Sequence, residues 1–232
     1  MTLHSIAFIP DGNRRYASLH GLRLEKAYQM GLDKSWSVLE WLRDYPSIKF
    51  GTFYTLSLEN LRRQKNELNL LFHIFEHAIQ RAKKESFLAE NNIRLTFSGR
   101  LELFPKKLQT QMKEIEKSTS DHDGKTVNLA MGYSGQAEIV DAVKKIATDV
   151  KNRNLDASSI DERSFHAYLY SDQPDPDLII RTSGTKRLSG FLTYQSAYSE
   201  LYFCQRYWPE FTRQDMDDAI QEYETRQRNF GK

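Results

Sequence analysis

Cysteine is almost missing from this 232-residue chain, where Cys204 stands alone. One thiol can neither close an internal disulfide nor build a cysteine-rich zinc site, so it reads as a small packing residue in a reducing compartment. Long apolar runs are missing too. Nothing approaches the roughly 20 residues that cross a bilayer, and the N-terminus has no basic stretch followed by an apolar one, so a cytoplasmic protein with at most peripheral membrane contact is expected. Neither sign of charge dominates: 33 Lys and Arg against 31 Asp and Glu leave a formal net of +2, which argues against a nucleic acid partner. Repeats, low-complexity tracts and domain linkers are absent. With 39% hydrophobic residues the chain can bury a sizeable core, and it is read as one domain over residues 1–232.

What is present is an alternation of short β-rich runs with longer helical stretches, the pattern of an α/β fold with a central, mostly parallel six-stranded sheet flanked by helices. The strand candidates are residues 4–9, 50–55, 93–98, 126–130, 178–181 and 201–203. The clearest helix spans 67–91, where Leu68, Leu71, Phe72, Phe75, Ile79 and Ala82 keep one apolar face that could wall a tunnel. Residues 136–152 and 212–229 form two further amphipathic helices, the second with Thr212 as its N-cap. "SDQPDPD", 171–177, is a proline-stiffened loop feeding a strand.

Three strand ends carry polar constellations. "AFIPDGNRRYA" leaves its strand at Asp11; Gly12 permits an unusual turn, and the segment beyond can open a helix flanked by Arg14 and Arg15. "DLIIRTSGTKRLSGF" repeats the arrangement with Arg181, a Thr-Ser-Gly turn, Arg187 and Ser189, a set suited to charge-assisted bonds to a diphosphate. "YTLSLENLRRQKNE" adds Ser57, Glu59, Asn60 and Arg63. Three such clusters at strand ends point to ligand binding at the carboxyl edge of an α/β sheet.

A rival motif is "HIFEH", 73–77, whose H-x-x-E-H spacing matches that of inverted zinc peptidases and puts His73 and His77 on one helical face. No third ligand follows, and the three phosphate constellations would be unexplained, so the pair reads as tunnel-rim or surface histidines. Trp36 and Trp41 read as core or tunnel wall, and "RAKKES" as a solvated helix face. His20, His122 and His166 show no role.

The three stretches resemble the motifs of the cis-prenyltransferases, the undecaprenyl and dehydrodolichyl diphosphate synthase family, whose blocks read DGNGRWA, FSxEN(W)xRP and RTSGExRLSNFLxWQxAYxELYF. Here they stand, in the same order, as "DGNRRYA", "LSLENLRRQ" and "RTSGTKRLSGFLTYQSAYSELYF", followed by "WPEFT". The resemblance implies condensation of isopentenyl diphosphate with an allylic prenyl diphosphate to give a cis-polyprenyl diphosphate, with Mg²⁺ as cofactor and a hydrophobic tunnel for the product. It implies a catalytic set of Asp11, Asn13, Glu59 and Asn60. Gly12, Arg14, Arg15, Tyr28, Ser57 and Arg63 would serve the allylic side, and Arg181, Arg187 and Ser189 the isopentenyl diphosphate. Asp11 would hold the metal, joined by Glu200 from a neighbouring subunit in a homodimer; a heteromer is the alternative.

This chain departs from those motifs. Leu24 and Tyr28 stand where the family has arginine and histidine, Arg14 replaces a glycine, Leu56 and Leu61 replace Phe and Trp, Thr185 a Glu and Gly190 an Asn. The isopentenyl site is therefore the more orthodox of the two. The departures leave open a member that makes irregular, non-head-to-tail products or uses another acceptor. A non-catalytic accessory subunit is disfavoured, because Asp11, Arg181, Arg187 and Glu200 are all present.

Overall fold

The computed structural model describes residues 2–226. Six strands, β1 (Ser5–Ile9), β2 (Phe50–Ser57), β3 (Ile93–Ser98), β4 (Lys125–Tyr133), β5 (Leu178–Arg181) and β6 (Glu200–Phe203), form one sheet in the order β3-β4-β2-β1-β5-β6. Every neighbouring pair is parallel, not merely most of them. Each connection is long enough to cross back over a face of the sheet, which parallel pairing requires. All six expected strands are present. β4 and β2 run past their expected ends to Tyr133 and Ser57, with register irregularities between Tyr54 and Ser57.

The buried strands alternate between two cores, as the period of two demands. On β1, Ile6 and Phe8 face a large core, while Ala7 and Ile9 face a smaller one with Tyr54, Tyr133 and Phe191. The helices are α1 (Asn13–Leu19), α2 (Leu24–Leu42), α3 (Lys65–Lys84), α4 (Phe87–Glu90), α5 (Lys106–Ser118), α6 (Gly135–Lys151), α7 (Glu162–His166) and α8 (Arg213–Thr225). Thr212 caps α8 as expected: its hydroxyl accepts from the Asp215 amide and Asp215 returns a bond to the Thr212 amide. The end of the 212–229 expectation, residues 227–229, lies outside the described residues.

The helix expected over 67–91 is two helices. The apolar stripe through Leu71, Phe75, Ile79 and Ala82 would next fall on Glu85 and Ser86; instead Glu85 turns extended, at φ −82° and ψ 137°, and α4 swings Leu88 into the core. Leu88 thereby joins Leu95 in lining a cavity of about 1080 Å³ walled by α2, α3 and the sheet. No helix among the described residues is long and apolar enough to cross a membrane.

Candidate active site

Asp11, Ser57 and Arg181 follow or end β1, β2 and β5, which lie side by side in the middle of the sheet. The three constellations therefore converge at one place, where the chain order reverses across the sheet. Of the candidate site residues, Asp11, Gly12, Asn13, Arg14, Arg15, Tyr28, Ser57, Glu59, Asn60, Arg63, Arg181, Arg187 and Ser189 all line the one cavity. Glu200 does not.

Gly12 adopts φ +109°, and a β-carbon there would lie 2.6 Å from the Tyr207 ring, so both the turn and its close packing require glycine. The turn aims Asp11 at Arg181, whose side chain is only 5% exposed and donates to Asp11 Oδ2 at 2.8 Å. Arg15 lies 3.1 Å from the other carboxylate oxygen and donates to the Ser183 hydroxyl at 2.6 Å. Burial pushes the Asp11 carboxyl up, but the bond to Arg181, the charges of Arg181 and Arg15 and the Ser183 hydroxyl together hold it below its ordinary value. Arg181 also donates to Ser189 Oγ at 2.8 Å and to the Arg187 carbonyl, and Arg187 Nε reaches Ser189 Oγ at 3.2 Å.

Asn13 fits into space left by Gly31: a β-carbon at 31 would stand 2.3 Å from Asn13 Oδ1. Gly31 is held in turn by Trp208, whose indole donates to its carbonyl at 2.8 Å. Asn13 Oδ1 is buried and has no hydrogen-bond partner among the described residues. At the β2 end the Ser57 hydroxyl accepts from the Asn60 amide at 3.1 Å, while Glu59 is exposed on the cavity rim.

Sequence reasoning missed Glu67. Its carboxylate accepts from the Tyr28 hydroxyl at 2.6 Å and from Arg63 at 3.0 Å, with Arg14 3.8 Å away; Arg63 also donates to the Tyr28 oxygen at 2.9 Å. The signal was the i,i+4 spacing of Arg63 and Glu67. Ser183 and Tyr207 were missed as well. Ser183 sits in the quoted Thr-Ser-Gly turn at φ +75°, whereas Tyr207, 5.6 Å below Arg15 in a cation–π contact, has no local cue. Leu24 packs against the large core and does not line the cavity. Tyr28 therefore departs from the family at the site, and Leu24 departs beside it.

Glu200 begins β6 opposite Leu178, three residues before Arg181, and accepts from Arg226 at 2.5 Å. The register puts it at the amino end of the sheet, away from Asp11 of its own chain. His73 and His77 lie on the exposed side of α3, outside the cavity, and no group of three or more His, Cys, Asp or Glu able to hold a metal occurs among the described residues.

Residues 9–231 match the model of a family described as "putative undecaprenyl diphosphate synthase". The chain belongs to that family. It is 43% identical over 228 residues, covering 98% of this chain and 84% of the relative, to a tritrans,polycis-undecaprenyl-diphosphate synthase (geranylgeranyl-diphosphate specific) of Methanopyrus kandleri. An isoprenyl transferase of Thermus thermophilus is 39% identical over 232 residues, covering 98% of this chain and 88% of the relative. Among solved structures, lavandulyl diphosphate synthase from Lavandula x intermedia in complex with dimethylallyl diphosphate is similar with a TM-score of 0.95 at 31% identity, covering 100% of this chain and 99% of that one. A probable undecaprenyl diphosphate synthase from Campylobacter jejuni gives 0.81 at 28% identity, covering 99% of both chains. Family membership makes the chain a prenyltransferase and displaces the zinc-peptidase reading of its paired histidines.

Proposed function

We propose that the chain, acting over residues 1–232 as one catalytic unit, condenses isopentenyl diphosphate with a long allylic diphosphate to extend a cis-polyprenyl chain. The carrying observation is the cavity, which runs from the Asp11–Arg181 pair to Leu88. At about 30 Å³ per non-hydrogen atom, the share of a water in the liquid, its 1080 Å³ holds about 35 such atoms. A geranylgeranyl diphosphate, with 29 such atoms, fits that space, whereas a five-carbon donor, with 14, leaves more than half of it unfilled. The relatives named as geranylgeranyl-diphosphate specific support a donor of that length.

In this reading Arg15, Arg63 and Arg14 hold the allylic diphosphate, and Arg181, Arg187 and Ser189 hold isopentenyl diphosphate. As the allylic C–O bond breaks, negative charge grows on the departing diphosphate, and fixed arginines stabilise it more than they stabilise the ground state. The new C–C bond releases a proton, which leaves along the polar rim of Ser57, Glu59 and Asn60. The dry apolar wall keeps water from the allylic carbon.

The site fits Mg²⁺. Asp11 is a carboxylate held ionised at the cavity wall, and Mg²⁺ is commonly held by one or two carboxylates, with substrate phosphate oxygens and water completing its shell. When bound, the ion would neutralise diphosphate oxygens as a Lewis acid. Glu200 is the candidate second carboxylate, supplied by another copy of the chain in a homodimer, because within one chain it stands at the wrong end of the sheet. The single, buried Cys204 supports a cytoplasmic setting, with product passing to a membrane surface by peripheral contact.

A second reading, irregular coupling of short units, is favoured by the 0.95 TM-score to lavandulyl diphosphate synthase. The two separate in one assay: the protein, Mg²⁺, labelled isopentenyl diphosphate and donors from dimethylallyl to geranylgeranyl diphosphate, with product identification. Long linear cis products from geranylgeranyl diphosphate are expected. Branched products from dimethylallyl diphosphate alone would overturn the reading.

A further inference from the structure

His73 and His77 take no part in the site described above. They stand one turn apart on the exposed side of α3, while Leu71, Ile74 and Ile79 on the other side are buried and line the cavity. Their Nε2 atoms approach to 3.1 Å, with ring centroids 4.4 Å apart and planes at 75°. A Zn–N bond is about 2.0–2.1 Å, so two nitrogens on one ion lie about 3.3–3.4 Å apart at a tetrahedral angle and about 2.9 Å at a right angle. The observed spacing falls between these values, and Nε2 is the atom of closest approach on both rings.

We propose that His73 and His77 form a two-histidine chelate for a borderline divalent ion such as Zn²⁺, Ni²⁺ or Cu²⁺, separate from the diphosphate site. Imidazole selects these ions over Mg²⁺, which prefers oxygen ligands. The neighbouring carboxylate, Glu76, is engaged by Lys107 of α5 at 2.5 Å, and no third protein ligand joins the pair among the described residues, so water completes the shell. The chelate spans i and i+4 and can form only when this turn is helical, so the ion binds the folded chain in preference to the unfolded one. It thereby clamps one turn of a helix that walls the product cavity.

The test uses tag-free protein in saturating Mg²⁺, titrated with Cu²⁺, Ni²⁺ or Zn²⁺ alone and followed by calorimetry and thermal unfolding. A single ion per chain, bound more tightly as Cu²⁺ than as Zn²⁺, and a rise in Tm are expected. Both signals should be lost in His73→Ala, in His77→Ala and in the shape-conserving His73→Gln. The double variant should keep Mg²⁺-dependent turnover, because neither ring touches the cavity. Equal binding by wild type and the double variant would place the ion elsewhere and overturn the proposal. So would an absence of binding to wild type, which would leave the ring contact as a hydrogen bond between tautomers.

Discussion

Arg181 donates to Asp11 Oδ2 at 2.8 Å, joining the carboxyl end of β5 to that of β1. The two proposed diphosphate sites are thus one electrostatic unit, and the residue expected to hold a metal is also the counter-charge of a buried guanidinium. Removing that carboxylate leaves Arg181 buried without its anion, a loss of about 3 kcal/mol or more by the precedent of broken buried pairs. Asp11→Ala is therefore expected to lose turnover and stability together. Asp11→Asn keeps a hydrogen-bond acceptor in place, so it should retain more of the fold while losing turnover by several orders of magnitude. Parallel Tm and turnover measurements on both variants check this, and near-wild-type turnover by folded Asp11→Asn would refute the role given to Asp11.

The same pair predicts an acid limb in stability. The folded-state pKa of Asp11 lies below its ordinary value of 3.8, so at low pH the unfolded chain binds this proton first and folding weakens. The stabilising contribution is present in full above the ordinary value and lost as pH falls through the depressed one. The Tm gap between wild type and Asp11→Asn should therefore be constant near neutrality and shrink as the pH drops below about 4. A gap independent of pH would show that the carboxylate charge contributes nothing.

Arg187 should separate the two substrates. It is exposed, it touches Ser189 through Nε, and its loss leaves the buried Arg181 network intact. Arg187→Ala is expected to raise KM for isopentenyl diphosphate about tenfold or more, in line with about 1.5–3 kcal/mol for a hydrogen bond to a charged group. The Tm and the allylic KM should barely move. Steady-state kinetics with each substrate varied in turn decide it, and equal weakening of both would misplace Arg187.

The strands were legible because each is a short β-rich run, and their meeting point was legible because three such runs end in clusters of polar side chains that each include arginine. Contacts that depend on packing between distant elements left no trace in local pattern. Tyr207 reaches Gly12 and Arg15 from nearly two hundred residues away, and Glu67 belongs to the site because α2 brings Tyr28 against α3. The break after α3 was partly legible, since Glu85 and Ser86 interrupt the apolar stripe. The periodicity of residues 67–82 simply outweighed two polar positions.

Leu24 and Tyr28 call for opposite outcomes. Leu24 packs half-buried against the core, so Leu24→Arg gives up apolar contacts and should lower Tm modestly without improving donor binding. Tyr28→Phe removes a hydroxyl that donates to Glu67 and accepts from Arg63 in a half-buried site. Arg63 keeps Glu67 but loses its second anchor, and the allylic KM should rise about three- to tenfold, a cost of one ordinary hydrogen bond. Kinetics on a donor panel check both. An improved allylic KM in Leu24→Arg would place that residue at the diphosphate after all.

The depth of the cavity should set product length. Ala82 lies on α3, buried beside the large core, and lines the cavity together with Leu88. A large side chain there enters space that is already empty, so the usual penalty of overpacking a filled core does not apply. Ala82→Trp should therefore fold normally, bind both diphosphates as wild type does and run the first condensation at an unchanged rate, because the reacting heads sit at the opposite end beside Asp11 and Arg181. As the chain lengthens, its ω end meets the indole, and each further unit must then displace packed atoms. Elongation should stop several isoprene units early, shifting the product ladder while leaving single-turnover kinetics of the first step untouched. An unshifted ladder would mean that the growing chain leaves the cavity by another route, and that the volume behind Ala82 does not hold the product.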